Sequence, residues 1–275
     1  MSETKVKAKR VLFFDSGVGG LSVLNAVRAQ NPEIESYYLF DNECFPYGNK
    51  EDQFLIKRVD SLIEKACQSF ELSAIVVACN TASTVALPEL RGNIKIPIVG
   101  VVPAIKPAAK LSKNKIIGLL ATPGTISRAY TQKLVNDFAS DCQVIKVGNA
   151  NLAVIAEKRL STGMVDKKEI AKIVAPFLDK DLSKRPDTVV LGCTHYPFVK
   201  DVLAQIMPEV RLVDSGEAIG RRVKTVIKEA PYVYLDEKQD RAFYTGMLKN
   251  FDERLKMVRT FGFKKLEKFE MKNQN

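Results

Sequence analysis

Short apolar runs rich in β-branched residues alternate along this chain with longer stretches whose apolar positions recur every three to four residues. That alternation is the signature of parallel strands joined by crossover helices. Strands are predicted at VLFF (11–14), SYYLF (36–40), AIVVA (74–78), IPIVGVV (96–102), IIGLLA (116–121), CQVIKV (142–147), DTVVLG (187–192) and VRLVD (210–214). Helices fill the intervals. Within 50–70, Phe54, Leu55, Val59, Leu62, Ile63, Ala66 and Phe70 fall on one helical stripe that should face a core. Beyond 231, YVYL and RAFYTG precede a basic amphipathic stretch at 251–263, expected to pack back onto the first part of the chain.

The pattern occurs twice. VLFFDSGVGGLSVL and IIGLLATPGTISRA are each an apolar strand, a turn of small residues and a helix start, and each precedes a strand that ends at a cysteine: VVACNTAS around Cys79 and VVLGCTHYP around Cys193. The expected fold class is therefore α/β, with two pseudo-symmetric α/β domains whose mainly parallel sheets face an interdomain cleft. The boundaries read as 1–102 plus 214–275 for the first domain, carrying Asp15 and Cys79. The second is 103–213, carrying Cys193 and His195. In open parallel sheets ligand groups gather at the carboxyl ends of the strands, so both cysteine turns should open onto the cleft.

Composition narrows the class without changing that picture. Hydrophobic residues make up 46% and charged residues 27% of the 275 positions, as in ordinary globular proteins. MSETKVKAKR runs straight into the first strand without an apolar leader, which gives a cytoplasmic expectation and no membrane partner. The net charge of +10 concentrates at the ends: Lys5, Lys7, Lys9 and Arg10 against Glu3, and eight basic against four acidic side chains from 249 onward. Solvated ends explain such a distribution better than a nucleic-acid footprint, and no nucleic-acid partner is expected.

The five cysteines, Cys44, Cys67, Cys79, Cys142 and Cys193, lack metal-clip or disulfide-framework spacing, so no metal is expected and the thiols should be reduced. Cys67 and Cys142 read as small hydrophobes. A cysteine at a strand-to-helix turn differs, because unpaired backbone N–H groups and the helix dipole favour its thiolate. Asn80 and Thr81 after Cys79 suit a helix N-cap, and after Cys193 come Thr194 and His195, with Pro197 suited to the first helical turn. The glycines after Asp15 and Ser16 allow close approach to a ligand, but Ser22 stands where a dinucleotide fingerprint needs glycine, and no Walker-type lysine follows. His195 is the only histidine and lies two positions from Cys193, where it can relay the thiol proton. A cysteine hydrolase using Cys193 and His195 is a competing reading that leaves Cys79 without a task. Two acid/base groups on opposite faces of one carbon suit stereochemical inversion: one thiolate removes a proton and the opposed thiol delivers another.

FDSGVGGLSVL, PYGNK (46–50), VVACNTAS and LGCTHYP resemble the glutamate racemases, in that order and over nearly the whole chain. The resemblance implies a cofactor-independent racemase interconverting L- and D-glutamate for bacterial peptidoglycan, with Cys79 and Cys193 as the catalytic pair. It implies that Asp15 assists Cys79 and His195 assists Cys193. It also implies that Asp15, Ser16, Tyr47, Gly48, Asn80, Thr81, Thr194 and His195 contact the amino acid. Glu157, in LAVIAEKRL, matches an auxiliary glutamate of the family, with an exposed helical position as the other reading. Aspartate racemases usually have glutamate where His195 stands, which favours glutamate as substrate. A pyridoxal-phosphate enzyme would need a phosphate cradle that the sequence does not offer. A DNA-associated role would rest on the basic ends alone, and a homodimer is left open.

Overall fold

The computed structural model describes residues 6–270; the basic positions at 1–5 and 271–275 lie outside them. Among the described residues the strands are β1 (Val6–Ala8), β2 (Arg10–Asp15), β3 (Glu35–Phe40), β4 (Ala74–Val77), β5 (Ile98–Gly100), β6 (Ile116–Ala121), β7 (Gln143–Gly148), β8 (Thr188–Gly192), β9 (Arg211–Val213), β10 (Val233–Leu235), β11 (Arg241–Tyr244) and β12 (Leu266–Lys268). The chain divides into two compact units. One comprises 6–47, 51–101 and 216–270 of the described residues, the other 48–50 and 102–215.

The first unit contains a six-stranded sheet in the order β12-β11-β3-β2-β4-β5, parallel throughout. Helices cover both faces, and this is why β3 and β4 are buried along their whole length and read as continuous apolar runs rather than alternating ones. The helix Asp52–Ser69 packs Leu55, Val59, Leu62, Ile63 and Ala66 onto Leu12, Phe14, Tyr37 and Ile75. Phe54, predicted on that stripe, is 45% exposed instead: it lies on the first turn, outside the stripe's span over the sheet. The final segment enters the sheet as a whole strand. Arg241–Tyr244 pairs with β3, and Phe243 stacks on Tyr37 and Phe70 at centroid distances of 5.7 and 5.0 Å.

The N-terminal stretch is not merely a solvated end. Val6–Ala8 forms an antiparallel ribbon with Val233–Leu235, burying Ala8, Val233 and Leu235 together. Lys9 is buried, its ammonium donating to the Ala230 carbonyl and lying over the Tyr232 ring.

The second unit contains a four-stranded parallel sheet in the order β7-β6-β8-β9. It repeats the order β3-β2-β4-β5 strand for strand. Cys79 follows the third strand of that set in one unit and Cys193 follows the third in the other. β8 is buried throughout, while β7 at the sheet edge is largely exposed.

Candidate active site

Polar residues collect where the strands of the first sheet end. β2 stops at Asp15, β3 runs into Asp41, β4 into Ala78 and Cys79, and β11 into Thr245. Backbone hydrogen bonds carry the ladder one step past the strands: Thr245 N–H donates to Phe40 (3.2 Å), Asp41 N–H to Asp15 (2.9 Å) and Ala78 N–H to Phe14 (2.8 Å). The turns after these strands are thereby as firmly placed as the sheet itself.

Cys79 caps the helix Asn80–Asn93. Its sulfur accepts from the Ala82 N–H at 3.4 Å, the side-chain-to-third-residue geometry usually supplied by serine or aspartate. This corrects the expectation that Asn80 and Thr81 cap the helix: they form its first turn, because the extended backbone at Cys79 already makes it the flanking residue. The cap puts the sulfur against the positive end of the helix dipole. The thiol also reaches Ser16 Oγ at 3.8 Å, and Ser16, Asn80 and Thr81 are buried beside it. Asp15 is fully buried with Oδ2 accepting from Gly20 N–H at 2.7 Å. A Cβ on Gly20 would stand 2.8 Å from Asp15 Cβ and 2.9 Å from the Tyr38 hydroxyl, so the loop closes this tightly only with glycine.

Cys193 follows β8, and here too the helix start differs from expectation. A 3₁₀ turn, Tyr196–Val199, intervenes before the helix Lys200–Ile206, and His195 flanks that turn without capping it. Freed from capping, the imidazole bridges two partners. Nδ1 lies 3.7 Å from Cys193 Sγ and Nε2 lies 3.0 Å from Glu157 Oε1. Glu157, on the helix Asn151–Thr162, is 7% exposed and His195 2%; the exposed-helix reading of Glu157 is therefore wrong. Burial alone would lower the imidazole's pKa, but hydrogen bonds to Cys193 and Glu157 outweigh it and raise the value to about 10. Thr194 is buried in the same turn.

Tyr47 and Gly48 are held differently from one another. The buried Tyr47 hydroxyl donates to Asp41 Oδ2 at 2.7 Å, and burial together with that carboxylate pushes the phenol well above its ordinary pKa. Gly48 belongs to the second unit, where a Cβ would come within 2.6 Å of Thr122 Cβ. The residues that sequence reasoning missed are Asp41, Arg58 and Thr245. Asp41 carried a signal, an acid directly after a predicted strand just as Asp15 is, whereas Arg58 and Thr245 have no local mark.

The remaining thiols behave as fillers. Cys67 packs half-buried against the first core and burial pushes it up to about 11, while Cys142 and Cys44 are also raised, burial being the main cause. None adjoins a histidine or caps a helix. Matched placement after equivalent strands sets Cys79 and Cys193 apart from the other three thiols.

The family model described as Asp/Glu/hydantoin racemase matches residues 21–223. A glutamate racemase of Photorhabdus laumondii is 44% identical over 265 residues, covering 96% of this chain and 92% of its own, and one of Shewanella sp. (strain MR-7) is 46% identical over 273, covering 96% and 98%. The solved Escherichia coli glutamate racemase, in complex with L-glutamate and the activator UDP-MurNAc-Ala, is similar at a TM-score of 0.91 and 43% identity. That match covers 95% of this chain and 98% of that one.

Proposed function

This chain belongs to the Asp/Glu/hydantoin racemase family, and from that premise we propose that it interconverts L- and D-glutamate with Cys79 and Cys193 as paired acid/base groups. The observation that carries the reading is the repeated strand order that ends in a cysteine at the same place in both units. In one direction a thiolate takes the α-proton and the other thiol returns a proton to the opposite face of the carbon; the reverse reaction exchanges their tasks. The reading assigns Asp15 to the Cys79 side and the His195–Glu157 pair to the Cys193 side. Glu157 would keep the imidazolium charged and aimed at Cys193 Sγ, where the ring can exchange a proton with the sulfur. Ser16, Asn80, Thr81 and Thr194, with the Tyr47–Gly48 segment, would hold the amino acid by hydrogen bonds. No cofactor enters this scheme. The enzyme would work in the bacterial cytoplasm and supply D-glutamate for peptidoglycan.

The test follows the loss of optical rotation from L-glutamate with dialysed protein, then repeats it with single-thiol variants. Replacing either Cys79 or Cys193 by serine should reduce racemisation at least about a thousandfold, the order of one lost acid/base group. Each variant should still eliminate a good leaving group from a 3-substituted glutamate, since elimination needs proton removal from one face only. The two variants should prefer opposite enantiomers of that analogue. Silencing by Cys67→Ser or Cys142→Ser, with wild-type racemisation in both turn variants, would mean that other thiols do the chemistry.

A further inference from the structure

Asp41 is a heavily partnered buried carboxylate of the first unit. Oδ2 accepts from the Tyr47 hydroxyl at 2.7 Å and from Arg58 Nε at 2.9 Å; Oδ1 accepts from Arg58 Nη2 at 2.7 Å and from the Thr245 hydroxyl. Its side chain is completely buried, and these donors take the place of the water it would otherwise hold. Arg58 approaches as a planar fork and fixes the carboxylate plane, while Tyr47, Thr245 and the Cys44 thiol approach from their own turns.

Thr245 reaches this carboxylate from far along the chain. It follows β11, which pairs with β3 in parallel register through Tyr244 and Phe40, so its hydroxyl arrives beside Asp41 directly past the last pair. The same oxygen accepts from the Glu43 N–H at 3.2 Å and so also ties down the turn that leads to Tyr47. Gly246, next in the chain, has φ of +67°, and a Cβ there would stand 2.7 Å from Glu43 Cβ. The Thr-Gly pair is thus shaped for contact with the 41–44 turn: the threonine supplies the hydroxyl and the glycine the clearance and the left-handed backbone. Thr245 and Gly246 themselves lie beyond residue 223, where the match to the family model ends.

From this arrangement we infer that Thr245 is a positioning residue for the amino-acid substrate, acting through Asp41 on the Tyr47–Gly48 segment. The inference rests on the reading that this segment contacts glutamate. The segment after residue 223 accordingly takes part in substrate binding as well as in completing the sheet. Removing the hydroxyl takes one donor from Oδ1 and frees the Glu43 amide, so the carboxylate can turn and Tyr47 follows it. No proton of the reaction passes through this network. The effect therefore falls on KM, with kcat changed much less.

The experiment measures KM and kcat in both directions for Thr245→Val, Thr245→Ser, Tyr47→Phe and the Thr245→Val/Tyr47→Phe double variant. Glu267→Gln serves as a control that loosens β11 from β12 through Arg241 without touching Asp41. Thr245→Val should raise KM roughly threefold to tenfold, the scale of one lost intramolecular hydrogen bond. Thr245→Ser should restore it. In the Tyr47→Phe background the valine substitution should add no further change, because the path to the substrate is already cut. If Thr245→Val does not fold, Thr245→Ala, which cannot overfill the site, takes its place. An unchanged KM in Thr245→Val beside a raised KM in Tyr47→Phe overturns the inference and leaves the substrate-contact reading standing. An unchanged KM in Tyr47→Phe removes that reading for Tyr47, and the inference falls with it. A rise in KM for Glu267→Gln equal to that for Thr245→Val would reduce the effect to general loosening of the sheet, and would also overturn it.

Discussion

His195 shows how a buried residue can be charged because of its neighbours. Its ring nitrogens face Cys193 and Glu157, and these hydrogen bonds offset the desolvation that would otherwise keep it neutral. A folded-state pKa near 10 lies above the ordinary imidazole value of about 6.5. The sign of the linkage follows: the stability this group adds is complete below about pH 6.5 and is lost as pH rises through about 10. Because it is the only histidine, its ring signals are unambiguous in an NMR titration. The midpoint should lie well above the ordinary value, and Glu157→Gln should lower it and bring the alkaline loss of stability to lower pH. A midpoint near 6.5 that ignored Glu157→Gln would show that the pair is not coupled in solution.

Among the elements, the helix Asn80–Asn93 bears the closest constraint, since its N-terminus carries Cys79 and its middle rests on β5. Leu87 lies against Gly100 so closely that a Cβ there would come within 2.1 Å of Leu87 Cδ1. Only a residue without a side chain lets the helix settle at this depth. Gly100→Ala should destabilise the protein by about 1–3 kcal/mol, the usual range for overpacking, and lower the melting temperature by several degrees. Adding Leu87→Ala makes room for the new methyl, so calorimetry on the double variant should show less than the summed losses. Strict additivity would mean that the new methyl does not meet Leu87 and that the helix is placed by something else. The helix at Cys193 obeys a different rule: the 3₁₀ turn at Tyr196–Val199 delays its start and releases His195 toward Glu157. One motif repeated in sequence has thus become a thiol cap in one unit and a thiol–imidazole–carboxylate chain in the other.

At the scale of the molecule, the segment Val6–Lys9 is structural. β1 pairs with β10, Ala8 closes on Val233 and Leu235, and Lys9 bonds to Ala230. Deleting residues 1–8 should remove the ribbon and its few buried methyl groups, a loss of about 1–2 kcal/mol, and lower the melting temperature by several degrees. The kinetic constants for glutamate should stay at wild-type values, because β1 touches none of the polar strand ends. A kinetic effect without a thermal one would give this ribbon a functional part instead.

The chain's own pattern determined the parallel α/β class and the strands from 11 to 214, because strands buried on both faces must be apolar throughout and helices between them must carry a periodic stripe. It also marked both cysteine turns, since a small residue, a thiol and polar residues after an apolar strand form a local motif. Tertiary structure alone decided what each motif residue does. That Cys79 itself caps its helix depends on a ψ angle; that His195 meets Glu157 depends on the helix Asn151–Thr162 lying beside the turn after β8. Asp41, Arg58 and Thr245 become one network only because β11 pairs with β3 after a gap of some two hundred positions. Local patterns record burial and backbone preference, which act between near neighbours in the chain. Hydrogen-bond partners are chosen by the packing of distant segments, and no short stretch of sequence carries that choice.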